Sequence, residues 1–311
     1  MTDFYSNFHG YGLNAEEYFY KQVFDAFDKN ARNKSLPFFN MSLNKLPREI
    51  TTGKTINDEN SIALEQMASL KGWSSNLWIY GDELNKVQSE IGTLVTKKGA
   101  EPVLCLTKYF NATHLNEQEL YIADGGSGKK EQYLYNIDSL SDRSREKLLN
   151  YYSKKASYSL GESEEEVNFK AFQSNKELNK KGGNAKLQKV KEKVAEKSRE
   201  DGIDLLPVTS CSYMHNLANS IGKPEAAAAN NKANESACYK SALGLSEKVD
   251  NQEISVQRAG KIICKALSAG IELQRVAVAK NYNLENAKKI EEMKVADSNR
   301  RKAKAYGGMS Y

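Results

Sequence analysis

Gly53, Lys54 and Thr55, inside the stretch TTGKT, are the first residues whose types and order match known chemistry. The loop that cradles nucleotide phosphates ends in this tripeptide: its backbone N–H groups curl round the phosphates and the Lys reaches the outer ones. Such a loop needs an earlier Gly five residues upstream, and that position is Arg48. Ile50, Thr51 and Thr52 fill the gap with stiff β-branched residues, which resist the tight curl. The preceding FFNMSLNKLPRE is polar and carries Pro47, so no buried strand leads in. What remains is a polar turn with Gly53 at positive φ.

Other chemistry is sparse. Cys105, Cys211, Cys238 and Cys264 are far apart, and so are His9, His114 and His215. Zinc wants clustered Cys or His; Cys211 and His215 sit four apart, but two ligands do not make a site. The cysteines read as buried thiols of a reducing cytoplasm, and no cofactor is implied. No Ser/His/Asp or Cys/His set has catalytic spacing, and runs such as Glu164-Glu165-Glu166 belong to solvated faces. The expected class is not an enzyme.

At 311 residues, with 40% hydrophobic and 27% charged residues, the chain reads as a soluble protein of two domains, or of one domain with a long appendage. No apolar run approaches a membrane helix, and MTDFYSNFHGYG lacks the marks of a signal peptide. A cytoplasmic location is expected, in a host bacterial cell, with carriage in a virion or transfer with DNA as further possibilities. The net charge of +5 is uneven: residues 1–150 hold 17 Lys/Arg against 20 Asp/Glu, and residues 151–311 hold 28 against 20. A basic surplus in the second half points weakly to a polyanionic partner.

The elements that would position these residues follow from periodicity. Residues 14–32 predict an amphipathic helix with Asn14 as N-cap and Glu16 and Glu17 in its first turn. Residues 59–70 predict a second, stopped by Gly72, and DELNKVQSEIG a third, capped by Asp82 and ended by Gly92. TLVT and EPVLCLTKYFN read as strands joined by KKGA; ELYIAD and EQYLYNID read as a hairpin around GGSGKK. The fold class expected is an α+β N-terminal domain with a small, mostly antiparallel sheet, followed by an all-α C-terminal region. The units are 1–150, a charged linker with one helix over 151–202, and a helical domain over 203–311 ending in a basic tail. In SVQRAGKIICKALSAGIELQ, the residues Ala259, Ile262, Ile263, Ala266, Leu267, Gly270 and Leu273 share a face. That face predicts a small helical-bundle core, or, as the sharper reading, self-association into a homo-oligomer.

Five pieces of the first half, taken in order, resemble a known family. Pro37-Phe38, LPREITTGKT, GWSSNLWIYGDELNKV, IGTLVTKKGAEPVLCLTKY and YLYNID are similar to the N-terminal domain of ArdC-type antirestriction proteins. That domain is itself similar to the N-terminal region of plasmid TraC primases. The likeness covers residues 37–140. Glu49 stands where the family has Asn, INDEN replaces a Tyr-x-Gly-x-Asn pattern, and Ser139 replaces a Gln. The resemblance implies single-stranded DNA binding by a plasmid or phage protein that protects entering DNA. The family's metalloprotease motif H-E-x-x-H is absent, so protease activity is not carried over.

Binding single strands without sequence preference needs a basic groove and aromatic platforms. The expected DNA-contacting residues are Arg48, Lys54, Trp73, Lys97, Lys98, Tyr109, Lys129 and Lys130. Trp78, Tyr80, Phe110, Tyr133 and Tyr135 are further candidate stacking platforms. The competing reading, preferred for Trp78, has Trp78, Leu104, Leu106, Tyr133 and Tyr135 alternate into the sheet core. The competing function is a structural or protein-interaction component, of a phage virion or associated with conjugation, that oligomerises through its C-terminal helices. A DNA mimic would be strongly acidic, and the net positive charge disfavours it.

Overall fold

The computed structural model describes residues 13–35, 41–43, 45–110, 114–116, 119–121, 127–155, 183–197, 199, 202–210 and 224–279; within these, the side chains of 107–131, 155, 183–187, 190 and 224–234 are left undescribed. Helix α1 (Ala15–Arg32) begins with a capping box: Asn14 accepts from the Glu17 N–H, and Glu17 accepts from the Asn14 N–H. Together these satisfy two of the orphan donors of the first turn. A two-residue strand β1 (Arg48–Glu49) leads through a tight turn into α2 (Asp58–Lys71), which stops at Gly72 in the left-handed region, φ +68°. Strand β2 (Leu77–Tyr80) runs directly into α3 (Gly81–Ile91), which ends at Gly92 as its sequence predicts. Its N-cap is Tyr80, with no side-chain cap, rather than Asp82.

A long ribbon follows, made of β3 (Val103–Phe110) and β6 (Ser127–Asn136), with the small pair β4 (His114–Asn116) and β5 (Glu119–Tyr121) between them in sequence. The main sheet has the order β1-β2-β6-β3. Only β1–β2 is parallel; β2–β6 and β3–β6 are antiparallel. The expected hairpin of 119–124 with 131–138 does not form, because β6 pairs with β3 and β5 pairs with β4. TLVT is not a strand either: Thr96 makes an isolated bridge to Leu140. In each case the alternation marked a strand-like face but carried no information about the partner.

Among the described residues beyond 141, α4 (Asp142–Lys155), α5 (Gly183–Lys197), a short stretch at 206–210, α6 (Pro224–Asp250) and α7 (256–279) are helical. The α+β first half and the helical second half thus match the expected fold class. Residues 156–182, the segment CSYMHNLANSIG and the tail after 280 lie outside the described residues.

Most of the helical half's described core is shared with the first half, apart from a small cluster of Val194, Ala269 and Leu273. Phe19, Val23 and Phe27 of α1 share one apolar cluster with Leu104 and Leu106 of β3 and with Ala259, Ile262, Ile263 and Leu267 of α7. Gly260 is where α7 crosses α1: a Cβ built on it would fall 1.9 Å from the Tyr20 carbonyl oxygen. The face read as a bundle core or self-association surface is therefore buried within the chain, against α1 and α6 and, at Leu273, against α5. Gln274 Nε2 donates to the Met41 carbonyl at 3.1 Å, and Arg275 forks onto Asp58 at 2.7 and 2.5 Å, fastening α7 to the first half. Cys105, Cys238 and Cys264 are buried free thiols, as expected. Among the described residues no helix is long and apolar enough to cross a membrane.

Candidate nucleic-acid interface

TTGKT forms a closed turn. The Glu49 N–H donates to the Lys54 carbonyl at 3.0 Å, the Gly53 N–H donates to the Glu49 carbonyl at 2.8 Å, and Arg48 bridges to Thr55. Gly53 has φ +66°, the conformation for which Gly is used. The Thr51 hydroxyl donates to one carboxylate oxygen of Glu49, and that of Thr52 donates to the other at 2.8 Å. Thr52 Oγ1 in turn accepts from the Lys54 N–H at 3.2 Å. Amide hydrogens that a phosphate loop would aim at its ligand are thus used inside the turn. The Lys54 side chain is exposed.

Arg48 corrects the expected set. It pairs with Leu77 of β2, its N–H donating to the Asn76 carbonyl just before that strand at 2.8 Å, and bridges on its other side to the returning Thr55. Its side chain is 1% exposed, so it is not a surface phosphate contact.

Trp73 follows the Gly72 stop, and its N–H turns back onto the Ala68 carbonyl at 2.9 Å. Its half-buried ring meets Trp78 edge-on, centroids 5.9 Å apart at 76°. Trp78 itself is core, at 1% exposure, in a cluster with Leu64, Val103, Cys105 and Leu134. The next two residues, Ser74 and Ser75, each donate a backbone N–H to Asp138 Oδ2 at 2.9 Å, and Arg145 Nη1 reaches Asp138 Oδ1 at 3.0 Å. Burial would raise the Asp138 carboxyl, but these donors overcome it and hold the group below its ordinary value. Asn136 completes the lock, donating to the Ser75 carbonyl and accepting from the Asp138 N–H, both at 2.8 Å. The polar residues of YLYNID are therefore fasteners of the 73–76 segment.

The same hook holds the lysine turn. The Lys97 N–H donates to the Ser139 carbonyl and the Ser141 N–H to the Val95 carbonyl, both at 2.8 Å. Ala100 N–H closes the turn on the Lys97 carbonyl at 3.0 Å, with Gly99 at φ +73° as the third residue, the pattern of a type II turn. Lys97 and Lys98 are both exposed; Lys97 Nζ stands 3.7 Å from Asp142 Oδ1, and Lys98 has no ion pair among the described residues. Trp73 and the two lysines thus hang from one segment, 136–141. Lys54 lies in line with them across the sheet, through Glu49, Trp78 and Asn136. Three strand spacings separate it from Asn136, about 14 Å.

Lys129 pairs with Lys108 and Lys130 with Thr107, while Tyr109 pairs with Gly128, all in the ribbon beyond β2. Their side chains are outside those described. Leu104 and Leu106 are buried as read, and Tyr133 and Tyr135 are half-buried against the core. Tyr80 is half-buried as well, and burial, with Glu49 and Cys105 adding to it, pushes its hydroxyl up to about 12.

Sequence reading missed Gln22, Asn60 and Arg145. Gln22 and Asn60 are amides set into apolar helix faces, a pattern that marks a buried polar partner. Among the described residues no group of His, Cys, Asp and Glu could hold a metal ion. No family model, curated protein or solved structure matches the chain.

Proposed function

We propose that the chain binds single-stranded DNA without catalysing a reaction, using the sheet end that carries Lys54, Trp73, Lys97 and Lys98. The observation that carries this reading is the hook at 136–141. It fixes two exposed lysines and a partly open indole on one support, the pairing of cation and stacking platform that sequence-tolerant binding requires. The ArdC resemblance adds the setting, a plasmid or phage protein acting in the host cytoplasm on entering DNA. The competing reading, a structural component oligomerising through its C-terminal helices, is weakened because the shared small-residue face lies against α1.

Titration of a labelled oligothymidylate against salt tests the proposal. Lys97→Ala with Lys98→Ala should weaken binding several-fold and lower the salt slope by about 1.4, since each phosphate contact on a single strand contributes about 0.7. Binding should also quench Trp73, an effect that Trp73→Phe removes. Folded wild-type protein that fails to bind at about 50 mM salt would sink the reading.

A further inference from the structure

Helix α5 carries the longest run of aligned, exposed cations among the described residues. Lys189, Lys193 and Lys197 recur at intervals of four and are all exposed. At 1.5 Å per residue their Cα atoms step along the axis by about 6 Å, close to the spacing of phosphates on an extended single strand. Like charges four apart repel and destabilise a helix, so this row costs stability where it stands. Glu192 and Glu196 lie three residues after Lys189 and Lys193, within reach of an intrahelical pair, yet neither pair is made. Gln188 Nε2 donates to Glu192 instead, at 3.1 Å. Among the described residues only Lys197 of the three has an ion-pair partner, Glu272 Oε2, at 3.9 Å; a pair that long and that exposed contributes little.

The row is also held in place. Val194, about a quarter turn round α5 from Lys193, is 2% exposed and packs against Ala269 and Leu273 of α7, so that Lys197 borders this contact. The lysines therefore stand on a ridge held by α7, with Glu192 and Glu196 along one flank, and three cations at this spacing complement a polyphosphate chain. By contrast, the sheet end presents a lysine already opposed by Asp142.

We infer that the Lys189–Lys193–Lys197 ridge of α5 is a second contact surface for the phosphate backbone of the bound single strand. The inference rests on the single-strand reading above and gives it the part of the chain that carries the basic surplus. The test is a triple variant, Lys189→Ala, Lys193→Ala and Lys197→Ala. Ala is the best helix former, so α5 persists, which circular dichroism verifies. Affinity for oligothymidylate should fall about 10-fold or more at low salt, and the salt slope should fall by about 2. The corresponding Lys→Arg triple should keep both. If the Ala triple binds like wild type while Lys97→Ala with Lys98→Ala weakens binding, the ridge is refuted and the single-strand reading stands. If wild type binds no oligonucleotide, both fall. Loss of binding to vesicles containing phosphatidylserine, with oligonucleotide affinity unchanged, would assign the ridge to a membrane surface and overturn the inference.

Discussion

Helix α1 is gripped from two sides, and the two grips are made differently. On the side of the sheet, amide side chains do the positioning. Gln22 of α1 exchanges two hydrogen bonds with the backbone of Leu104, both 3.2 Å, and Asn60 of α2 does the same with Leu106, both 3.0 Å. Those backbone groups point away from β6, so the two amides occupy the place of a further strand and close the edge of the sheet. An open edge is a template for pairing with another chain. On the side of the helical half, contact depends on smallness: Ala259, Gly260 and Ala266 let α7 approach α1 until backbone meets backbone. The first grip is set by direction and the second by volume, and each should fail under a different kind of substitution.

The largest effect is expected at Gly260. Even a methyl group there would meet the Tyr20 carbonyl oxygen at 1.9 Å, and a main-chain atom cannot swing aside. Gly260→Val should force α7 off α1 and cost roughly 3 kcal/mol or more, the upper range for overpacking. Urea unfolding measures it. A loss below about 1 kcal/mol would show that the two helices can slide, and the contrast between the grips would be lost.

Asn60→Leu tests the other grip and keeps the volume. It removes two hydrogen bonds and leaves the N–H and C=O of Leu106 without partners in a buried place, where Asn60 is 1% exposed. The expected cost is about 2–3 kcal/mol, because an unsatisfied buried polar group loses its desolvation energy outright. Gln22→Met should cost less, since Gln22 is only half-buried. Equal losses at the two positions would mean that packing, and not the amide exchange, sets the cost.

This contrast also explains what the sequence made legible. The Asn14 cap with its acidic first turn and the Gly72 and Gly92 stops are local signals, and each was readable because the groups that settle it are a few residues apart. The seven-residue face of α7 was legible as a face, but not as the partner of α1. Nothing within ten residues of Gly260 records Tyr20. The pairing of β6 with β3 rather than β5 was hidden for the same reason. Arg48 misled because a cation beside a turn ordinarily faces water, whereas here its backbone is flanked by Leu77 and Thr55 and the residue is buried. In the candidate site, the Gly53 and Gly99 turns and their exposed lysines were visible, whereas the Asp138 hook that supports them joins residues more than sixty positions apart.

Glu65 of α2 marks where the directional grip is incomplete. Its neighbour Gln66 receives Asn30 Nδ2 at 3.1 Å, but the half-buried Glu65 carboxyl has no hydrogen bond among the described residues. Burial pushes it up to about 8, with Lys45 opposing the shift. In the unfolded chain the group returns to the ordinary carboxylate value near 4.5. Between those two values the folded state therefore holds more protons than the unfolded one. The stability that the protonated group allows is intact below about pH 4.5, is lost progressively as the pH rises through 8, and stays lost above it. Glu65→Gln keeps the shape and cannot ionise, so the variant should match wild type near pH 4.5 and gain steadily up to pH 8. The gain there should be about 1–2 kcal/mol once partial exposure is discounted. Urea unfolding of both proteins across that range measures the difference. A gain that does not change with pH would mean that the carboxyl is solvated in the folded state.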